Sequence, residues 1–341
     1  MSNNILVSLL SEHLIPNFQL FQHLKEEIDE HLLITTAQME QSGVTANFIE
    51  YIEADNYPVH AVVTDAWDFE GILGKLEKHC EVNSKNQYFV NLTGGTKMVS
   101  LAVFHFFRAL NSRMYYVAIG ANSCRCIYPD QQAAEKFNHQ LSLKQYLGLY
   151  GYSITYNNTL HKSPAFTREL FATIQEKNYN AMAHAPIRSA LAERYCPDMA
   201  DLGYYQGLWF EEYVFQLIKE QLQLNDSQLA LGVKVRKYKA EGSSDNEFDV
   251  MFIKNNRLYA IECKSSLGKK NERIAKLEGF LYKLAAAVKN FGLQVSPILA
   301  AVGSTDDSQK IRDRAEILRI KTIGSEKFEN ENLLDLYLKN L

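Results

Sequence analysis

The sequence predicts an α/β protein in two parts, an N-terminal domain on a doubly wound parallel sheet and a C-terminal domain around an acidic β-hairpin. Three observations carry this. Over the first 140 residues short apolar runs alternate with helical patterns, the rhythm of βαβ units. One of these runs leads into Asn91-Leu92-Thr93-Gly94-Gly95-Thr96-Lys97-Met98, which turns and opens a helix. Further on, Phe248–Ile253 and Leu258–Cys263 flank Lys254-Asn255-Asn256-Arg257, and Asn-Asn tolerates the positive φ of a two-residue hairpin turn.

The expected strands of the first domain are Ile5–Leu10, His31–Thr36, Val59–Thr64, Gln87–Asn91 and Met114–Ile119. The expected helices are Phe18–Asp29, Asn47–Ala54, Phe69–His79 and Thr96–Leu110. Such sheets bind ligands outside the carboxyl ends of their strands. The loops that matter are then Ser8–Asn17, Thr35–Gln38, Thr64–Trp67, Asn91–Lys97 and Gly120–Ser123. In the fourth, Gly94 and Gly95 let the backbone approach a ligand, and the free N–H groups of a helix start favour an anion. Thr93, Thr96 and Lys97 add hydroxyls and a cation. The spacing is neither G-x-G-x-x-G nor G-x-x-x-x-G-K-[ST], so neither a dinucleotide nor an NTPase reading is supported. A glycine-rich turn with a capping threonine has the same composition.

On the loop Asn91 to Met98 this half resembles the CARF domain, the CRISPR-associated Rossmann-like sensor of cyclic oligoadenylates. The first-strand loop, Ser8-Leu9-Leu10-Ser11-Glu12-His13 to Pro16-Asn17, matches that family in position, with Ser11 where a glycine is expected. The resemblance implies ligand contacts from Ser11, Glu12, Asn91, Thr93, Gly94, Gly95, Thr96, Lys97 and Met98. It also implies a two-fold homodimer with one cyclic ligand across the axis, cyclic tetra-adenylate being favoured because an even ring suits a dimer.

Residues 141–199 read as a connector between a sensing domain, 1–140, and a third segment, 200–341. Leu141–Leu149 and Thr167–Lys177 have helical patterns, Ala181–Tyr195 is ambiguous, and His161-Lys162-Ser163-Pro164 and Tyr195-Cys196-Pro197-Asp198 are boundary-like. His161 and His184 are lone histidines, read as surface or packing residues.

The final segment reads helix Trp209–Gln223, strand Val233–Tyr238, loop Ala240–Asn246, the hairpin, helix Asn271–Asn290, strand Val295–Val302, helix Asp307–Leu318 and strand Arg319–Ile323. With Asn255-Asn256 as the loop, Asp249 lies opposite Glu262 and Glu247 opposite Lys264, and period-two alternation puts all four on one face. Phe248, Val250, Phe252, Tyr259, Ile261 and Cys263 take the other face as core. Opposed carboxylates destabilise a hairpin unless something positive lies between them. A hard cation, Mg²⁺ or Mn²⁺, meets that need, and Lys264 would orient or deprotonate a water or stabilise charge on a phosphate. A solvated face with cross-strand ion pairs is the other reading.

Asp249 followed by Glu262-Cys263-Lys264 resembles the core of the PD-(D/E)xK nucleases, a restriction-endonuclease-like α/β fold. That family often adds an acid from an upstream helix, which points to Glu211 in Gly207-Leu208-Trp209-Phe210-Glu211-Glu212-Tyr213-Val214. The resemblance implies metal ligation by Asp249, Glu262 and either Glu211 or Glu247, with Lys264 at the attacking water. Arg273 and Lys276 either line the substrate path or form a solvated helix face. Together the two resemblances imply a cyclic-oligoadenylate-activated nuclease of type III CRISPR defence acting on DNA and/or RNA. A constitutive restriction or repair nuclease and a nucleotide-responsive regulator with a dead nuclease fold are the alternatives.

Composition sets limits. A net charge of −4 and pI near 6.2 do not by themselves suggest nucleic-acid binding. Between Leu231 and Asn290, however, 13 Lys+Arg stand against 7 Asp+Glu, a modest phosphate-binding surface. No apolar run reaches the ~20 residues of a membrane span and no signal pattern opens the chain, so the cytoplasm is expected. Five cysteines without a paired C-x-x-C spacing suggest reduced, structural thiols.

Overall fold

The computed structural model describes residues 2–53, 57–80, 85–176, 203–238, 246–265, 272–303, 305 and 308–328. Ala181–Tyr195, His184 and the stretch from Tyr195 to Asp198 lie outside them. The chain divides into two compact units, Met1–Ser153 with Phe291–Gln294, and Ile154–Asn290 with Val295–Leu341. Both are α/β.

The first unit carries β1 (Asn4–Leu9), β2 (Glu30–Thr36), β3 (Val59–Thr64), β4 (Gln87–Asn91), β5 (Arg113–Tyr116), β6 (Ser123–Tyr128) and β7 (Glu135–Lys136) in the order β3-β2-β1-β4-β5-β6-β7. The first five are mutually parallel. The order reverses between β1 and β4, so the loops leaving these two neighbours flank the crevice of a doubly wound sheet. Val7, Leu9, Val90, Val99, Val103 and Phe107 are buried in one cluster between sheet and helices.

The helices are α1 (Ile15–Leu24), α2 (Ala37–Gln41), α3 (Val44–Glu53), α4 (Phe69–His79), α5 (Lys97–Ala109) and α6 (Leu143–Leu149). Several limits differ from expectation for identifiable reasons. The first helix starts three residues earlier, because Pro16 suits a first turn that has no use for its missing N–H. The fifth strand ends at Tyr116 and not Ile119, since the Val117 N–H donates to the Thr93 hydroxyl (2.8 Å). The return strand β6 was not expected. Its alternation buries Cys124 and Cys126 and exposes Arg125, which accounts for the C-x-C spacing as packing.

The second unit has the sheet order β13-β12-β11-β10-β9-β8, from β8 (Tyr152–Thr155), β9 (Leu229–Lys237), β10 (Asn246–Lys254), β11 (Arg257–Lys264), β12 (Val295–Ala301) and β13 (Lys321–Ile323). β9, β10 and β11 form an antiparallel meander, and β12 and β13 add in parallel. Its helices are α7 (Pro164–Glu176), α8 (Trp209–Leu222), α9 (Arg273–Val288), α10 (Gln309–Ile317) and α11 (Ser325–Phe328), with a π-helical turn, Tyr204–Leu208, leading into α8. Trp209, Phe210 and Val214 of α8 pack on Val250, Phe252, Tyr259, Ile261 and Cys263, so this face of the hairpin is core. Glu247, Asp249, Glu262 and Lys264 of the hairpin stand outside that cluster. No helix among the described residues is long and apolar enough to cross a membrane.

Candidate active site and ligand loop

Asn255 and Asn256 both take positive φ, 52° and 57°, the conformation a two-residue type I′ turn requires. The hairpin pairs Lys254 with Arg257, Ile253 with Leu258, and so on to Val250 with Ile261, the expected register. The ladder runs no further. The Cys263 N–H donates to Asp249 Oδ2 (2.6 Å), so a carboxylate side chain takes up the next backbone donor of β11. Two expected cross-strand pairs therefore lie beyond the ladder, Asp249 with Glu262, and Glu247 (laddered on its other side to Lys234 of β9) with Lys264. The Lys264 ammonium sits 2.7 Å from Glu262 Oε1, on its own strand, and donates to the Cys263 carbonyl (3.1 Å).

Burial and like charge act together here. Burial first, and then Glu262, push the Asp249 carboxyl up to about 6. Glu211, in the first turn of α8, is pushed up to about 8 by burial and then by Asp249, with further contributions from Glu247 and Glu262. Burial opposes the charge on Lys264, but Asp249 and Glu262 outweigh it and hold the group above its ordinary value. Lys264 is therefore an ammonium at neutral pH. It is a hydrogen-bond donor in this arrangement and not a base.

Among the described residues, no three His, Cys, Asp or Glu side chains stand together at metal-holding geometry. The chemistry of the donor set nevertheless fits a hard divalent cation. Asp249, Glu262, Glu211 and Glu247 offer only oxygens, and the repulsion that adds to burial in raising Asp249 and Glu211 is what a cation relieves. Each of the two central carboxylates keeps one oxygen, Asp249 Oδ1 and Glu262 Oε2, without a hydrogen bond to the described residues.

Glu212 faces the opposite way. It is buried, accepts from the His161 backbone N–H (2.6 Å) and imidazole Nδ1 (2.7 Å) at one oxygen, and from the Tyr204 hydroxyl (2.9 Å) at the other. His161, expected as a surface or packing residue, is exposed and holds Glu212 through both its backbone N–H and its imidazole. We expect Glu211→Gln to cut the activity of the carboxylate site more than Glu212→Gln. The latter should instead cost about 1.5–3 kcal/mol of stability, the range for a hydrogen bond to a charged group. Paired activity and melting measurements check the ranking, and the reverse order would put the wrong carboxylate in the site.

Lys276 pairs with Glu272 one turn before it (2.9 Å), a surface contact, and no ion pair to the site carboxylates is seen for Lys276 among the described residues. The cation of α9 that makes one is Lys283, seven residues beyond Lys276 and so on the same helical stripe. Its Nζ lies 3.5 Å from Glu262 Oε1. That periodicity was the available signal.

The glycine loop of the first unit is held from within. Asn91 is fully buried, donates to Asn17 Oδ1 (2.8 Å), and accepts from the Thr93 N–H (3.1 Å) and hydroxyl (2.6 Å). Asn17 in turn donates to the Leu9 carbonyl (2.8 Å) and so ties the loop to β1. Thr96 caps α5, accepting from the Val99 N–H (3.3 Å) and donating to the Ala66 carbonyl (3.0 Å). A Cβ at Gly94 would be built into the Leu9 carbonyl oxygen, and Gly95 takes φ +75°. Gly95 and Lys97 are exposed, Met98 is half-buried, and no hydrogen bond or ion pair engages Lys97 among the described residues. In the neighbouring loop Ser11 accepts from the His13 N–H (3.4 Å), and Glu12 is exposed. Sequence reasoning did not single out Trp67, which is 79% exposed on the loop that Thr96 ties in.

These features define a class: a Rossmann-like sensing domain followed by a restriction-endonuclease-like domain. Residues 5–146 match the family model of the Card1 CARF domain, and residues 200–338 match that of the Card1-like endonuclease domain. The chain belongs to these two families in that order, a CARF protein with a C-terminal endonuclease domain. Solved structures share its fold. Protein VC1899 from Vibrio cholerae is 16% identical, with a TM-score of 0.76 and 98% of each chain covered. Can2 from Sulfobacillus thermosulfidooxidans, in complex with cyclic tetra-adenylate, is 19% identical, with a TM-score of 0.75 and coverage of 98% of this chain and 99% of that one. A type III CRISPR defence DNA nuclease activated by cyclic oligoadenylate is 16% identical with a TM-score of 0.59, and 88% of this chain matches 45% of that one. Comparison with curated proteins gave no match.

Proposed function

We propose that the chain is a cyclic-oligoadenylate-activated, metal-dependent nuclease of type III CRISPR defence. In this reading it works in the cytoplasm as a homodimer, on DNA and/or RNA. The observation that carries the reading is the cluster of Asp249, Glu262, Glu211 and Lys264, where burial and mutual repulsion raise two of the carboxyls well above their ordinary values. Such a site is costly for the fold and has its use in chemistry. The fold shared with Can2, seen with cyclic tetra-adenylate, and with a DNA nuclease activated by cyclic oligoadenylate supports the gate.

Asp249 and Glu262, with Glu211 or Glu247, would hold Mg²⁺ or Mn²⁺. A cation bound there supplies Lewis-acid polarisation of the scissile phosphate and lowers the pKa of its bound water. Lys264, protonated, donates to a phosphate oxygen or holds the attacking water. Glu211, raised to about 8, would give up its proton to serve as a ligand.

In the sensing domain Gly95, Lys97, Ser11, Glu12 and Met98 face the ligand, while Asn91, Thr93, Gly94 and Thr96 hold the loop in shape. Incubation with labelled RNA, single-stranded DNA and plasmid, with and without cyclic tetra-adenylate and Mn²⁺, tests the whole reading. Cleavage should need both additives, and equal cleavage without the ligand would favour the constitutive nuclease. Lys97→Ala should raise the half-activating ligand concentration about tenfold, the lower range for losing a charge-assisted bond. The maximal rate should largely recover at saturation, because the nuclease residues are untouched. A loss that saturating ligand does not restore would place Lys97 elsewhere than at the ligand.

A further inference from the structure

Among the described residues that line a cleft of about 480 Å³ against the hairpin, Lys283 is the one cation, with Asn246, Glu247, Glu262, Leu284 and Ala287 among the walls. It projects from α9 one turn after Phe280, whose ring lies 5.0 Å from the Lys264 ammonium. Leu284 next to it is buried and fixes this face of the helix against the fold. Beyond it Ala286 and Ala287 line the cleft and leave it open. Two ammoniums thus share one oxygen: Glu262 Oε1 has Lys264 at 2.7 Å and Lys283 at 3.5 Å.

The second of these pairs does little for the fold. The Lys283 side chain is 71% exposed, and ion pairs of that kind are worth at most about 1 kcal/mol. Glu262 already has a closer, more buried partner in Lys264. A flexible cation at the mouth of a cleft rimmed with carboxylates has a different use. Glu247, Glu262 and Asp249 repel a nucleic-acid backbone, and Lys283 is placed where an incoming phosphate can replace the longer contact to Glu262.

We infer that Lys283 is a substrate-anchoring residue, gripping a backbone phosphate of the nucleic acid at the mouth of the site. The inference rests on the nuclease reading above and adds the residue that holds the polymer. A lysine serves as a point charge on a flexible stem, so arginine at this position should keep the function.

The test uses the full chain with Lys283→Ala and Lys283→Arg. The affinity of fluorescein-labelled single-stranded DNA and RNA is measured with Ca²⁺ and cyclic tetra-adenylate over a range of KCl, and cleavage kinetics are measured with Mn²⁺. Removing one phosphate contact should make the slope of log affinity against log salt shallower by about 0.7. KM should rise about tenfold with kcat within about threefold, and Lys283→Arg should restore both slope and KM. An unchanged salt slope in Lys283→Ala, with wild type binding in a salt-dependent way, would overturn the assignment and leave Lys283 as a partner of Glu262 only. If wild type neither binds nor cuts nucleic acid, the nuclease reading falls and the inference with it.

Discussion

Asp249→Ala is expected to lower metal-dependent cleavage by at least about a hundredfold, the scale for loss of a preorganised electrostatic group, while leaving activator binding unchanged. Glu262→Ala should match it, and Lys264→Ala should lose turnover with less effect on cation affinity. Wild type should also show a characteristic pH dependence. Folding raises both Asp249, to about 6, and Glu211, to about 8, above their ordinary values. A group raised in this way adds stability below its unfolded value and loses it as pH climbs through the folded one. The metal-free protein should therefore melt at progressively lower temperature from about pH 5 to pH 8. The same protons compete with a cation, so the Mn²⁺ needed to raise the melting temperature should fall over that window. Thermal melts with EDTA and with graded Mn²⁺ measure both trends. Asp249→Ala should flatten them, and a mutant that cut normally would put the metal site elsewhere.

How much of this was legible in the sequence depends on how local the cause is. The hairpin turn and its register follow from Asn255-Asn256 and period-two alternation. The alternation of strand and helix in the first unit is likewise a local pattern, and Gln87–Asn91 and Phe69–His79 have the limits their residues suggest. What escaped depends on partners distant in the chain. The hairpin ladder gives out at Val250 because a side chain, Asp249, takes the Cys263 N–H. Glu212 is spent on His161, 51 residues away, and the π-helical turn at Tyr204–Leu208, which changes the helix phase just before Glu211, has no sequence mark. Lys283 is hidden by distance along α9, since the basic residues of that helix nearest the hairpin in sequence are in its first turn and the site meets its third.

The same distinction decides the last prediction, at Gly94. Read locally, Gly94 and Gly95 both free the backbone for a ligand. In the folded unit they differ. Gly95 needs its positive φ, but a Cβ there meets only the side chains of Leu9 and Val99, at 3.4 Å or more, so Gly95→Ala should cost about 1–2 kcal/mol from the left-handed backbone alone. At Gly94 an added carbon collides with the Leu9 carbonyl oxygen, and that oxygen cannot move because it accepts from Asn17, which is locked in turn to Asn91. The clash is with backbone and cannot be relieved by a rotamer change. Gly94→Val should therefore cost about 3 kcal/mol or more, lowering the melting temperature of the first unit and pushing the loop off the end of β1. Its response to cyclic tetra-adenylate should be lost and not recover at saturation, in contrast to Lys97→Ala. A melting curve and an activation titration on the three variants separate the cases. A Gly94→Val protein with wild-type melting and half-activation would mean that the loop does not rest on β1 through Leu9, and the ligand surface built on that contact would have to be redrawn.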